Sequence, residues 1–147
     1  MHRLKICVVP VYLVLLATVS LVGCQKETTA RDYYEKSFQF VNAGSTQDAI
    51  DLLTLAIKKD PSFFEAYYNR GTMYFFQEKY DLALKDFDKA ISLNANHGGS
   101  YASRGTVYDR MNMPGESLAD FKAAARLGDK DTQDYLKSKG VGWQKGQ

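Results

Sequence analysis

The strongest constraint on the fold is a pattern that recurs every 34 residues through the middle of the 147-residue chain. Six columns of similar residues stay in phase through three copies without an insertion. The columns are Tyr33, Tyr67 and Tyr101; Ser37, Gly71 and Gly105; Phe40, Tyr74 and Tyr108; Ala49, Ala83 and Ser117; Leu53, Phe87 and Phe121; and Ala56, Ala90 and Ala124. A fixed period of this length predicts an array of three similar units that stack on one another.

The spacing within one copy predicts a pair of α-helices. Tyr67, Gly71 and Tyr74 stand at i, i+4 and i+7, which places them on one helical stripe, and a second stripe of the same spacing starts at Ala83. Polar turns are expected over 43–46, 77–81 and 112–115. Residues 62–65 have the composition of a capping box, and Pro114 suits the first turn of a helix.

This order of residues resembles the tetratricopeptide repeat family, in which each repeat is an antiparallel helix pair. The resemblance covers about 30–129 and is closest in the second copy, whereas the first copy departs from it at Ser37 and Leu53. It implies an all-α fold with three tandem helix-pair repeats in a short right-handed solenoid over 31–129. The expected repeats span about 30–63, 64–97 and 98–131, and only the first ends with the closing proline, Pro61.

The segment after the repeats predicts a capping helix and a tail over 130–147. Residues 129–139 form an amphipathic pattern whose large apolar members are Tyr135 and Leu136. One packed face and one polar face are typical of a terminal cap, which shields the last repeat from water. Trp143 is expected to fold back onto the last helix.

The first residues have the layout of an export signal. Arg3 and Lys5 precede an uncharged apolar stretch over 6–22, and residues 21–24 (Leu-Val-Gly-Cys) resemble a bacterial lipobox. We therefore expect a lipoprotein signal peptide over 1–23, cleavage between Gly23 and Cys24, and lipidation of Cys24. The alternative is an uncleaved anchor with a chance cysteine, although the stretch is shorter than the roughly 20 apolar residues that span a bilayer.

A lipidated Cys24 and a short linker over 24–30 imply attachment to a membrane of the bacterial cell envelope. By resemblance to Gram-negative lipoproteins, Gln25 favours the outer membrane, with the body facing the periplasm. This sorting inference does not apply to a Gram-positive source.

Composition argues against several functional classes. The chain has 19 basic and 17 acidic residues, and Arg3 and Lys5 account for the excess, so no basic patch predicts nucleic acid binding. Both cysteines lie at or before position 24, and His97 is the sole histidine beyond the signal. We expect no catalytic residue, no metal and no cofactor, and we expect His97 to be a solvated loop side chain.

The first helices of the pairs are expected to line a concave groove for a partner. Helical phase assigns to this groove Tyr34, Phe38 and Asn42 in the first copy, Tyr68, Asn69, Thr72, Phe75 and Phe76 in the second, and Ala102, Thr106, Asp109 and Arg110 in the third. The excess of aromatic residues favours a partner surface, but covering by the chain's own ends, or a core role for Phe38 and Phe75, explains it equally well.

One branch of the family grips C-terminal carboxylates with basic and asparagine side chains. Of these positions Asn69 alone matches, whereas Tyr34, Phe38, Gly99 and Ser103 stand at the others, so an apolar peptide segment is the expected ligand. The leading hypothesis is a lipid-anchored scaffold that binds an unidentified envelope protein or peptide. The alternative is a structural lipoprotein whose aromatic face closes a homodimer.

Overall fold

The computed structural model describes residues 27–144. The predicted signal peptide over 1–23, its cleavage site at Gly23 and Cys24, and the sorting residue Gln25 lie outside these residues. Residues 27–144 form seven helices and no strand: α1 Ala30–Asn42, α2 Thr46–Lys59, α3 Phe64–Phe76, α4 Tyr80–Leu93, α5 Gly98–Arg110, α6 Pro114–Arg126 and α7 Lys130–Ser138. Within this part of the chain, none of the helices is both long and apolar enough to cross a lipid bilayer. The prediction of an all-α fold is confirmed.

The helices pack as three consecutive pairs followed by a single helix. The main contacts join α1 with α2, α3 with α4, and α5 with α6, while α2 also packs on α3, α4 on α5, and α7 on α6. Gly71 and Gly105 allow the close approach within pairs. A Cβ at Gly71 would lie 3.1 Å from the ring of Phe87, and one at Gly105 would lie 3.0 Å from the ring of Phe121.

The recurring columns supply most of the core. Leu53 and Phe87 are each 1% exposed, and Ala56, Ala83 and Ala90 are fully buried. Burying one large apolar side chain stabilises the fold by about 1.5–3 kcal/mol. The core therefore forms where the two stripes of each pair meet, as the periodicity predicted.

The turn inside each helix pair has the same backbone geometry. Its middle residue has a positive φ: 76° at Gly44, 58° at Glu78 and 58° at Asn112. In the first turn the amide of Ser45 donates to the carbonyl of Phe40 at 2.9 Å, and the other two turns repeat this bond at the same distance. Such a left-handed residue after a helix satisfies carbonyls of the last turn.

The predicted turns extend too far at their C-terminal ends. Thr46, Tyr80 and Pro114 are already the first residues of α2, α4 and α6. Pro114 occupies the first turn of its helix, as predicted, because a helix start needs no amide donor there.

The predicted capping box over 62–65 is wrong. Phe63 is the N-cap residue of α3, and no side chain caps that helix. The amide and hydroxyl of Ser62 both donate to the carboxylate of Asp60, at 2.9 and 2.6 Å, so Ser62 is held in the preceding turn. A capping box instead opens α1, where Thr29 and Asp32 bond each other's backbone amides.

The capping helix α7 closes the last repeat. Asp129 is its N-cap residue and accepts from the amide of Thr132 at 2.9 Å, and Leu136 is 1% exposed. The half-buried Trp143 follows this helix, and its carbonyl accepts from Nε of Arg126 at 2.7 Å. The tail thus bonds the domain at the end of α6, and it also bonds α7, because the amide of Val141 donates to the carbonyl of Leu136 at 2.9 Å.

Candidate interaction groove

Two adjoining recesses lie on the side of the molecule formed by α3, α5 and α7. The larger, of about 510 Å³, is lined by Tyr68, Gly99, Ala102, Ser103, Thr106, Asp109, Arg110, Phe121, Asp129, Asp131, Thr132 and Tyr135. The smaller, of about 210 Å³, is lined by Thr72, Phe75, Phe76, Phe87, Ser103 and Thr106. Ser103 and Thr106 belong to both, so the two recesses form one continuous depression, which we call the groove.

The structure brings most of the predicted groove residues together. Those that line one recess or the other are Tyr68, Thr72, Phe75, Phe76, Ala102, Thr106, Asp109 and Arg110. Tyr34, Phe38, Asn42 and Asn69 line neither recess. The groove therefore starts at the second repeat, and the first repeat does not contribute to it.

Tyr34 and Asn69 instead join the first repeat to the second. The side-chain amide of Asn69 donates to the hydroxyl of Tyr34 at 3.1 Å and to the carbonyl of Glu65 at 2.8 Å. The Tyr34 ring packs against Phe63 with centroids 4.9 Å apart, and this burial raises the pKa of the Tyr34 hydroxyl. Phe38 packs edge-on against Tyr34 and is 41% exposed.

The smaller recess is aromatic. The Phe75 and Phe76 rings lie 5.7 Å apart, and Phe76 is 70% exposed. Phe75 is half-buried and packs against the core cluster that contains Phe87, so it serves the core and lines the recess at once. The guanidinium of Arg110 lies 5.7 Å from the centre of the Phe75 ring, at the boundary with the larger recess.

The larger recess carries more negative than positive charge. Asp109, Asp129 and Asp131 line it, with Arg110 as the one lining cation. The ion pairs found among residues 27–144 include none of these three carboxylates. One oxygen of Asp129 is used to cap α7. The lining therefore has a net negative character at neutral pH.

His97 is more enclosed than the sequence predicted. It is the N-cap residue of α5, it is half-buried, and its ring packs against Phe64 at 5.3 Å and Tyr68 at 4.9 Å. Its Nδ1 lies 2.8 Å from Oγ of Ser100, a residue with no exposed surface. The expectation of a solvated loop side chain is wrong because two rings of α3 cover the loop. The His97 ring thus packs directly against Tyr68, a residue that lines the groove.

Sequence reasoning missed a charged cluster in the second repeat. Nε and Nη2 of Arg70 each donate to the carboxylate of Asp86 at 2.8 Å, and Nη1 donates to Thr54 of the preceding pair at 3.0 Å. The guanidinium lies between the rings of Tyr67 and Tyr74, 5.8 and 5.9 Å from their centres. The hydrogen bonds that Arg70 donates to the Asp86 carboxylate raise the pKa of Arg70.

The third repeat contains the same cluster 34 residues later. Arg104 donates twice to Asp120 at 2.7 Å and once to Asp88 of the preceding pair at 2.6 Å. The rings of Tyr101 and Tyr108 flank the guanidinium at 5.7 and 5.9 Å, and the hydrogen bonds that Arg104 donates to Asp120 raise the pKa of Arg104. We call these two clusters the arginine clamps. The 34-residue spacing was the signal that could have revealed them.

Metal chemistry has no obvious centre in the part of the chain described. Between residues 27 and 144, no group of three or more His, Cys, Asp or Glu side chains is placed to hold a metal ion.

Comparison with known proteins matches the second repeat to a known family. The tetratricopeptide repeat family model matches residues 64–97, which is the second predicted copy. Human tetratricopeptide repeat protein 13 is 32% identical over 83 residues, covering 56% of this chain and 10% of that protein. The Arabidopsis thaliana TPR repeat-containing thioredoxin TDX is 26% identical over 98 residues, covering 67% of this chain and 26% of that protein. The chain thus spans between a tenth and about a quarter of the length of these relatives.

Solved structures agree with the family model. The second TPR domain of Spaghetti (RPAP3), bound to an HSP90 peptide SRMEEVD, has a TM-score of 0.65 and 27% identity, covering 67% of this chain and 92% of that one. MamA has a TM-score of 0.67 and 28% identity, covering 72% of this chain and 62% of that one. The family model and these structures support the tetratricopeptide repeat as the building unit of this chain, as the resemblance implied.

Proposed function

We propose that the chain is an interaction scaffold, without catalytic activity, that binds a segment of a partner protein in the groove. The observation that carries this proposal is the continuity of the two recesses, one of which exposes 70% of Phe76. The packing of the repeats does not require a phenylalanine at that degree of exposure. Exposed apolar side chains collected in a depression are typical of binding surfaces.

The comparisons support a peptide or protein ligand. Two solved relatives are TPR domains of Spaghetti (RPAP3) bound to an HSP90 peptide, and one of them shares 27% of its sequence with this chain. Helix-pair repeats hold such segments against the face formed by their first helices. The groove of this chain uses α3 and α5, which are first helices, together with α7.

We infer that the scaffold is anchored by lipid at Cys24 and works at the surface of an envelope membrane, with the outer membrane favoured by Gln25. A few residues after Gln25, the chain is already bonded to the folded repeats. Nζ of Lys59 bonds the carboxylate of Glu27 at 2.7 Å, and the Thr29 capping box starts α1. At no more than about 3.5 Å per residue, a linker this short keeps the repeats close to the bilayer.

Photo-crosslinking in cells tests the binding function directly. A crosslinking residue replaces Tyr68 or Phe76 in the groove and, as a matched control, Leu118 on α6, which is 38% exposed and lines neither recess. We expect one envelope protein to be captured from both groove positions and not from Leu118. Self-crosslinks alone, or none, would instead favour the structural lipoprotein whose aromatic face closes a homodimer.

The Cys24→Ala substitution tests the anchor separately. Without the thiol no lipid can be attached, so the Cys24→Ala chain should lose the label that the parent chain takes up from a clickable palmitate analogue fed to the cells. Equal labelling of both chains would contradict lipid attachment at Cys24.

A further inference from the structure

The two recesses of the groove differ in chemistry, and the difference describes a ligand. We propose that the groove selects a partner segment in which a basic side chain lies near an apolar one, and that it rejects acidic peptides. This proposal rests on the proposed function and adds the chemical class of the partner.

The basic side chain would occupy the larger recess. Asp109 and Asp131 are exposed and take part in no ion pair among residues 27–144. Asp129 uses one carboxylate oxygen to cap α7, and its carboxylate takes part in no ion pair among residues 27–144. Three carboxylates around one recess attract a lysine or arginine from a partner, and they do so most strongly where water is partly excluded.

Two cations that lie on rings lining the groove leave this attraction in place. Arg110 lies over the Phe75 ring at 5.7 Å, and Lys139 lies over the Tyr135 ring at 5.7 Å. Each stands on an aromatic face rather than within ion-pairing distance of a groove carboxylate. The stacking shows that these rings accept cations, an interaction that favours a basic ligand over an acidic one.

The apolar side chain would occupy the smaller recess. Its walls are the rings of Phe75, Phe76 and Phe87, and no charged residue lines it. Since Ser103 and Thr106 belong to both recesses, the basic and apolar side chains come from neighbouring positions of one segment.

The charge of the larger recess separates this chain from the relative solved with SRMEEVD. That peptide carries two glutamates, an aspartate and one arginine. Opposite the larger recess, its carboxylates would face Asp109, Asp129 and Asp131 with Arg110 as the one lining cation. Like charges placed against each other weaken binding, so we expect SRMEEVD to bind this chain poorly.

A matched pair of fluorescent peptides tests the proposal on the full 147-residue chain kept in a mild detergent. The peptides GSFKAKFSG and GSFEAEFSG differ at two positions, where lysine in the first stands against glutamate in the second, and SRMEEVD serves as a third probe. We expect the lysine peptide to bind at least about tenfold more tightly than either acidic probe by fluorescence anisotropy. Its binding should weaken in 1 M salt, where charges are screened beyond about 3 Å.

Two double variants show whether the groove carboxylates are responsible. Asp109→Asn with Asp131→Asn should weaken binding of the lysine peptide by about five- to tenfold, since two exposed ion pairs are lost. Glu35→Gln with Glu78→Gln removes the same charge from exposed positions outside the groove and should leave binding unchanged.

Several results would overturn the proposal. They are an acidic probe that binds as tightly as the lysine peptide, no binding of any probe at millimolar concentration, or equal losses in the two double variants. Binding that appears after removal of residues 144–147 would assign the groove to the chain's own tail, which contains Lys145. A partner captured by crosslinking from Tyr68 and Phe76 together with equal binding of both peptides would overturn this inference and leave the proposed function standing.

Discussion

The first repeat and the two repeats that follow it reach the same helix-pair geometry with different residues. The second and third repeats each carry an arginine clamp, in which Arg70 and Arg104 reach back to the preceding pair. The first repeat has Lys36 and Leu52 at the corresponding positions. Among residues 27–144 no helix pair precedes α1, so an arginine at position 36 would have no preceding pair to bond. Each clamp therefore joins the two helices of its own repeat and also bonds that repeat to the preceding pair.

The first repeat also differs from the other two in the close contact between its helices and in the turn that joins them. The second and third repeats use Gly71 and Gly105 under an aromatic ring, and they end their first helices with Glu78 and Asn112 at positive φ. The first repeat reverses this choice: Ser37 is at the close approach, and Gly44 is in the turn. Leu53 stands in the first repeat where Phe87 stands in the second, and the smaller side chain leaves room for the Ser37 hydroxyl. Each repeat therefore has its glycine where its own packing requires one.

The largest effect should come from breaking an arginine clamp. Asp86→Ala leaves the Arg70 guanidinium, whose side chain is 17% exposed, without its charged partner. We expect the free energy of unfolding to fall by about 2–4 kcal/mol, since an uncompensated charge at a largely buried site is costly. Urea unfolding followed by far-UV circular dichroism measures the change.

The control is Asp88→Ala, whose side chain is 56% exposed, and which should lower the free energy of unfolding by less than about 1 kcal/mol. Equal losses in both variants would show that the buried pair has no special weight.

A smaller effect should separate the two kinds of close approach. Gly105→Ala places a Cβ 3.0 Å from the Phe121 ring and should lower the free energy of unfolding by about 1–3 kcal/mol. Ser37→Ala adds no volume and removes only the bond from the Ser37 hydroxyl to the carbonyl of Tyr34, so its effect should stay within about 0.5 kcal/mol. Thermal unfolding of both variants tests the difference. If Gly105→Ala were as stable as the parent chain, the two helices of the third pair would have room for the added methyl group, contrary to the 3.0 Å distance.

The smallest effect should come from the turns, with opposite signs in the two regions. Gly44→Ala puts a side chain on a residue with φ of 76° and should destabilise the fold by about 1 kcal/mol. Glu78→Gly relieves the same strain at φ of 58° and should stabilise it by about 0.5–1 kcal/mol. Chemical denaturation midpoints measured side by side check the signs. A stabilising Gly44→Ala would mean that the left-handed turn is not required in the first repeat.

The groove shows where sequence reasoning stopped. Helical phase placed residues such as Tyr68, Phe76 and Thr106 on the face that lines the recesses, because outward positions follow from the packed stripe on the same helix, but it also assigned Asn69, which lines neither recess. It could not identify Phe121, Asp129, Asp131 and Tyr135, which lie on α6, before α7 and on α7. Their place in the groove depends on how α7 packs against the last pair. Tyr34 and Phe38 were assigned to the groove because phase places a residue on a helix face but does not show which neighbour covers that face.

The sequence alone determined the all-α class, the helix pairs and the core columns, because a strict 34-residue period records local helix spacing and the contacts that every copy repeats. It also supplied the lipobox resemblance at Cys24, which remains a prediction. The tertiary structure alone decided the enclosure of His97, the arginine clamps and the acidic character of the larger recess. These features arise where side chains from different helices converge, and a pattern along one chain does not encode the distance between residues of different helices.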